Sequence, residues 1–97
     1  MVYLVRTTKT IKTGAWDLAT KTAIYFKDNY PEVIESKLLS KISGAQDIIH
    51  WVLGFDSLAD EEKFALKAAK DEWFGDQMKE FNECFTDLED DLFRVEM

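Results

Sequence analysis

The stretch Ile48 to Trp73, IIHWVLGFDSLADEEKFALKAAKDEW, carries a strand into a helix through a capped turn, and the rest of the fold follows from it. Ile48 to Phe55 is apolar at nearly every position, the pattern of a strand covered on both faces. Ser57 stands three residues before Asp60 and approximates a capping box. Its hydroxyl can accept a free amide of the first turn, while the nearby carboxylates suit the positive end of the helix dipole. The strand therefore ends at Phe55, and a helix begins at Leu58.

Upstream, Val2 to Thr10 alternates Val2, Leu4, Arg6 and Thr8 on one face with Tyr3, Val5 and Thr7 on the other, which predicts a first strand. Thr13 and Gly14 offer a helix start, and Trp16, Ala19, Ala23, Phe26 and Tyr30 recur at helical spacing, so a helix is expected from Ala15 to Asn29. Pro31, which has no amide to donate and restricts the residue before it, stops that helix. The alternation from Lys37 to Ser43 predicts a second strand, hairpinned onto Ile48 to Phe55 through a turn over residues 43–47 that contains Gly44.

Downstream, the helical pattern runs from Leu58 to about Phe85, long for a globular helix, with Gly75 as the expected break. Phe74, Met78, Phe81 and Phe85 make a core-facing stripe. The acidic run Asp87, Glu89, Asp90 and Asp91 predicts a solvated turn, because it lacks the glycine turn and spaced oxygens of a calcium loop. A short last strand is expected over Asp91 to Glu96. The order β-α-β-β-α-β in one domain of residues 1–97 is that of an α+β ferredoxin-like fold, a four-stranded antiparallel sheet with two helices on one face.

At 46% hydrophobic and 13% aromatic residues, the chain is too apolar to stay disordered. Residues 1–47 carry seven Lys/Arg and five Asp/Glu, and residues 48–97 carry five and fourteen, so the second half repels phosphate backbones and no nucleic acid partner is expected. The longest apolar run is far too short to span a bilayer, and residues 1–10 lack the core of a secretory signal, so the expectation is a cytoplasmic protein with no membrane insertion. Cys84 has no second cysteine to pair with. No cluster at ligand spacing implies a metal or any other cofactor.

The second face of the Ile48–Phe55 strand, with Ile48, His50 and Val52, would be an exposed apolar patch if helices cover only one side. A homodimer, sheet face against sheet face, would bury it. The aromatic-Asp-Ser-Leu-Ala-Asp turn from Phe55 to Asp60, with a helix and the downstream Trp73, resembles the NIPSNAP-type members of the dimeric α+β barrel superfamily. The resemblance implies a barrel dimer with a central cavity. That superfamily also holds antibiotic-biosynthesis-type monooxygenases, polyketide cyclases, isomerases and haem-handling enzymes. The asparagine, histidine, tryptophan and tyrosine sets of its haem-degrading and monooxygenase members do not map onto this chain, which has a single histidine.

His50 is the one side chain whose ordinary pKa lies near neutrality, and alternation turns it away from Trp51 towards the expected barrel interior, where it could act as a general base. Arg6 and Arg94 could hold an anionic group with their forked donors, and Val52 would line the same interior. Each has a plainer reading, as a hydrogen-bonded seam histidine, surface ion pairs and core. Two classes of function stay open: a barrel that binds a small hydrophobic or aromatic molecule, and a cofactor-independent monooxygenase, cyclase or isomerase using His50.

Overall fold

The computed structural model describes residues 1–44 and 46–97. Strand β1 (Val2–Thr10) leads into helix α1 (Ala15–Asn29), followed by β2 (Glu35–Ser40), β3 (Ile48–Phe55), α2 (Leu58–Ala68), α3 (Glu72–Cys84) and β4 (Phe85–Arg94). The strands form one antiparallel sheet in the order β2-β3-β1-β4, the ferredoxin-like arrangement expected from the sequence. Strands β1 and β3 take the centre, where their β-branched and aromatic residues fit a pleat with neighbours on both sides.

The helix-covered face of the sheet is the one that carries Ile49, Trp51, Leu53 and Phe55, as alternation implied. Ile49 and Trp51 pack with Ala15, Leu18 and Ala19 of α1 and with Phe81 and Cys84 of α3. Leu53 and Phe55 pack with Phe26, Tyr30, Val33 and Phe64. Cys84 is free and buried. The buried stripe of α1 is Ala15, Leu18, Ala19, Thr22, Ala23 and Phe26; Trp16 lies one residue off it, about 100° around the helix, and is exposed. The indole Nε1 of Trp51 donates to the buried hydroxyl of Thr8 at 2.9 Å, so neither polar group is left unpaired in the core.

Several expectations are corrected. The second strand starts at Glu35, two residues early, because pairing of Glu35 with Gly54 sets its register, and it ends at Ser40. The turn expected over residues 43–47 includes Ala45, which lies outside the described residues. The long helical region breaks between Ala68 and Glu72, whereas Gly75 lies inside α3. The cause is Asp71, which is the N-cap of α3 and accepts the Phe74 amide at 3.0 Å. The same carboxylate accepts the Tyr25 hydroxyl at 2.8 Å and the Tyr30 hydroxyl, so the break is pinned to α1. Tyr25 in turn stacks on Trp73 with ring centroids 3.9 Å apart. Burial pushes the Asp71 carboxyl up, but hydrogen bonds from Tyr30, the Phe74 amide, Tyr25 and the Trp73 amide outweigh it and hold the group below its ordinary range.

The acidic run read as a turn is also a strand. Strand β4 begins at Phe85, and Glu89, Asp90 and Asp91 pair with Thr7, Arg6 and Val5 of β1. An extra residue on β4 opposite Thr7 to Lys9 makes a bulge, and Asp87 there has φ +54°, a left-handed conformation that aspartate tolerates better than most residues. As an edge strand with one open side, β4 keeps its carboxylates in water, and charges there also discourage pairing with other chains. From the expected stripe, Phe81 and Phe85 are buried, Phe85 from the strand instead of a helix; Met78 is 39% exposed.

The far face of the sheet is more mixed than its sequence suggested. Tyr3, Gly54 and Glu35 stand side by side across β1, β3 and β2. The Tyr3 hydroxyl donates to Glu35 at 2.9 Å, and Glu35 pairs with Lys37 at 2.7 Å. A Cβ at Gly54 would come within 3.1 Å of both the Tyr3 ring and the Glu35 side chain, so glycine lets this bridge lie low over the strand. Beside it, Val52 is only 6% exposed in the single chain.

The two helix caps differ in reach, and their removal should differ in cost. The Ser57 hydroxyl accepts the Asp60 amide at 3.2 Å and nothing else depends on it, so Ser57→Ala should cost about 1 kcal/mol. Asp71→Ala removes a cap and strands two tyrosine hydroxyls, and should cost about 2 to 3 kcal/mol in urea unfolding. Because the folded Asp71 pKa is depressed, its contribution is present above the ordinary carboxylate range and lost as pH falls through the depressed value. The gap between wild type and Asp71→Ala should therefore narrow in acid; a constant gap would contradict the assignment.

Candidate functional site

Between the helices and the sheet lies a cleft of about 500 Å3, within the range of small-molecule sites. Its origin is legible in α2. The residues of that helix and its C-cap that line it are Glu61, Phe64, Ala65, Ala68 and the cap residue Ala69, at spacings of three, one, three and one, which is one helical face. Three of the five are alanines, and Phe64 is the single buried residue of α2. Large side chains at Ala65, Ala68 and Ala69 would fill the space; methyl groups leave it open. Thr22, Ala23 and Phe26 of α1 and Phe74 and Phe81 of α3 complete the helical wall. The sheet supplies the floor, with Leu4, Trp51, Leu53 and Leu92.

The polar groups at this cleft are few. The hydroxyl of Thr22 donates to the Leu18 carbonyl and that of Ser36 to the Ala23 carbonyl, so both are committed to backbone. Arg6 lines the cleft and forms a two-pronged ion pair with Asp90, Nε to Oδ1 at 2.8 Å and Nη2 to Oδ2 at 2.9 Å. Glu61 is half-buried, and among the described residues it has no hydrogen-bonding or ion-pairing partner for its carboxylate. Burial, with a smaller contribution from the neighbouring charge of Glu62, pushes its carboxyl above the ordinary range.

The four residues singled out from the sequence are not brought together. Arg6 lies in the cleft wall. Val52 borders the cleft at the sheet, but pleat alternation sends its side chain to the far face. His50 is on that far face too, paired in register with Thr7 of β1 and Leu39 of β2, and its Nδ1 lies 3.0 Å from the Thr7 hydroxyl. Arg94 is exposed at the end of β4, opposite Val2, outside the cleft lining. The central cavity was expected on the side of His50; the described cleft is on the opposite side. Sequence reasoning missed Glu61, which looked like an ordinary first-turn acid. The signal that could have found it is its place on the helix face shared by Phe64, Ala65 and Ala68.

Among the described residues, no group of three or more histidine, cysteine, aspartate or glutamate side chains is placed to hold a metal ion, and no helix is long and apolar enough to cross a membrane.

This architecture, a four-stranded antiparallel sheet backed by helices that enclose a cleft, is the ferredoxin-like α+β fold of NIPSNAP proteins and antibiotic-biosynthesis-type monooxygenases. SnoaB, a cofactor-independent oxygenase from Streptomyces nogalater, superposes with a TM-score of 0.78 over 99% of this chain and 93% of its own, at 13% identity. A NIPSNAP domain protein from Burkholderia xenovorans, itself uncharacterised, matches with a TM-score of 0.76 over 98% and 94%, at 11% identity. A protein from Deinococcus radiodurans provisionally assigned as an antibiotic biosynthesis monooxygenase gives 0.77 over 100% and 94%, at 13% identity. At such identities the likeness is one of fold. No family model and no curated protein matches the sequence.

The raised pKa of Glu61 has a definite sign. A carboxyl whose folded pKa exceeds its unfolded one favours the folded state only while protonated, so stability is lost as pH rises through that window. Glu61→Gln, neutral at all pH, should be more stable than wild type at pH 7, with the difference vanishing in acid below the ordinary carboxylate range. Thermal melts of both proteins across pH measure it, and equal profiles would place Glu61 in open solvent.

Proposed function

We propose that this protein binds a small hydrophobic or aromatic molecule in the cleft between α2, α3 and the sheet. The observation that carries the reading is the alanine face of α2 standing over an aromatic and aliphatic floor, a combination that leaves space where a packed domain would place side chains. Burial of one two-ring aromatic molecule there would remove enough apolar surface from water to hold it at micromolar concentration. The likeness in fold to a cofactor-independent oxygenase supports a second reading, in which the bound compound is also a substrate for monooxygenase, cyclase or isomerase chemistry. His50 could act as its general base only in a pocket on the far face closed by a second copy, since it stands across the sheet from the cleft.

The second copy is itself part of the proposal: a homodimer through the far face of the sheet. Leu39 beside His50 and Phe93 beside Tyr3 are 46% and 54% exposed on that face, which also carries the half-buried Val5 and Ile48. Such a set is better covered than wet. Because Val52 is already buried in the single chain, its replacement would unfold the protein and test nothing about assembly.

Two measurements check these readings. N-phenyl-1-naphthylamine, a neutral probe that brightens in apolar sites, should bind saturably, and Ala65→Phe should weaken it by about tenfold, or ~1.4 kcal/mol, without altering the circular dichroism. Unchanged affinity in a folded Ala65→Phe protein would move the site elsewhere. Light scattering coupled to size exclusion should give a dimer at micromolar concentration and a folded monomer for the double variant Leu39→Asp, Phe93→Asp; a monomeric wild type would contradict the assembly.

A further inference from the structure

Every cation that lines the cleft is already matched by an anion. Arg6 spends two of its donors on Asp90, at 2.8 and 2.9 Å, and Lys37 pairs with Glu35 at 2.7 Å on the far face of β2. Neither is left to receive the carboxylate or phosphate of a ligand without giving up a partner. Glu61 is in the opposite position. It stands on the alanine face of α2, half-buried, and among the described residues nothing donates to it.

We infer that Glu61 is the specificity-determining residue of the cleft, accepting a hydrogen bond from a ligand that combines an apolar aromatic ring system with an O–H or N–H donor, a phenol or an arylamine, and turning away anionic analogues. The inference rests on the cleft being a binding site, as proposed above. A ligand seated in the cleft takes the Glu61 carboxylate out of water; one that supplies a donor makes up for the lost hydration, whereas one lacking a donor leaves the carboxylate desolvated and unpaired. A carboxylate-bearing ligand fares worse, since it would face Glu61 in a cleft of low polarity whose Arg6 is already paired with Asp90.

The charged neighbour of Glu61 is Glu62 beside it on α2; the other charged residues that line the cleft are Arg6 and Asp90, paired with each other, and Lys37 and Asp91, whose strand positions alternate to the far face. The α1 and α3 residues that line the cleft are uncharged.

The test is a matched set of probes, 1-naphthol, naphthalene and 1-naphthoate, titrated at pH 7 into wild type, Glu61→Gln and Glu61→Leu by calorimetry. Wild type should prefer naphthol to naphthoate by about tenfold or more. Glu61→Gln should keep the preference for naphthol over naphthalene, because an amide oxygen still accepts, and Glu61→Leu should remove it while holding naphthalene at least as tightly. Equal binding of naphthol and naphthoate by wild type, or a preference that survives Glu61→Leu, overturns the role of Glu61 and leaves the cleft as a binding site. Failure of all three probes to bind wild type overturns both.

Discussion

The carboxylate of Asp71 is the contact on which the helical layer depends. It caps α3, takes hydrogen bonds from Tyr25 and Tyr30 of α1, and ends what would otherwise be one long helix from Leu58 onward. A single straight helix would carry α2 and α3 past the sheet on one axis. Broken at Asp71, the chain gives α3 a core position through Phe81 and Cys84, and leaves α2 with Phe64 as its single buried residue. Phe64 is held by edge-on contacts with Phe26 and Tyr30, with centroids 5.1 and 5.0 Å away. At the far end of the helix, Lys67 pairs with Glu32 in the segment before β2. Between these anchors runs the alanine face, and the cleft is the space it leaves.

The two faces of the sheet divide the chemistry. The helix-covered face is apolar, with Arg6 and Asp90 neutralising each other at one wall and Glu61 unmatched at the other. The far face carries the Tyr3–Glu35–Lys37 bridge, in which the hydrogen bond to Glu35 pushes the Tyr3 phenol up and the Lys37 and Tyr3 donors hold Glu35 down. A surface of that kind suits a partner subunit with a mixed seam better than a ligand of low polarity. His50, hydrogen-bonded to Thr7, belongs to this second environment.

How much of this was legible in the chain depends on where the deciding information sits. Strands β1 and β3 and helix α1 fall where local pattern placed them, because alternation, Gly14 and Pro31 are short-range signals. The ends of β2 and β4 depend on their partners: Glu35 is a strand residue because Gly54 is opposite, and Asp90 because Arg6 is. Charge density argued for a turn there, and an edge strand tolerates the same charges by leaving them in water. The helix break was misplaced at Gly75 because glycine is the louder signal, although Asp71 three residues before Phe74 carried the capping pattern. The cleft was hardest to foresee. A missing side chain has no hydropathy signature, and the stripe Ala65, Ala68, Ala69 differs from an ordinary helix face only in volume.

The claim that most needs testing is the location of the site on the helix side of the sheet. Alanine methyl groups labelled with carbon-13 report it directly, because Ala23, Ala65, Ala68 and Ala69 line the cleft, while His50, labelled in its ring, reports the far face. On titration with N-phenyl-1-naphthylamine, the four cleft methyl signals should shift together and saturate at one affinity, with the His50 ring unmoved. Shifts confined to His50, with the alanine methyls silent, would put the ligand on the other side of the sheet and contradict the account.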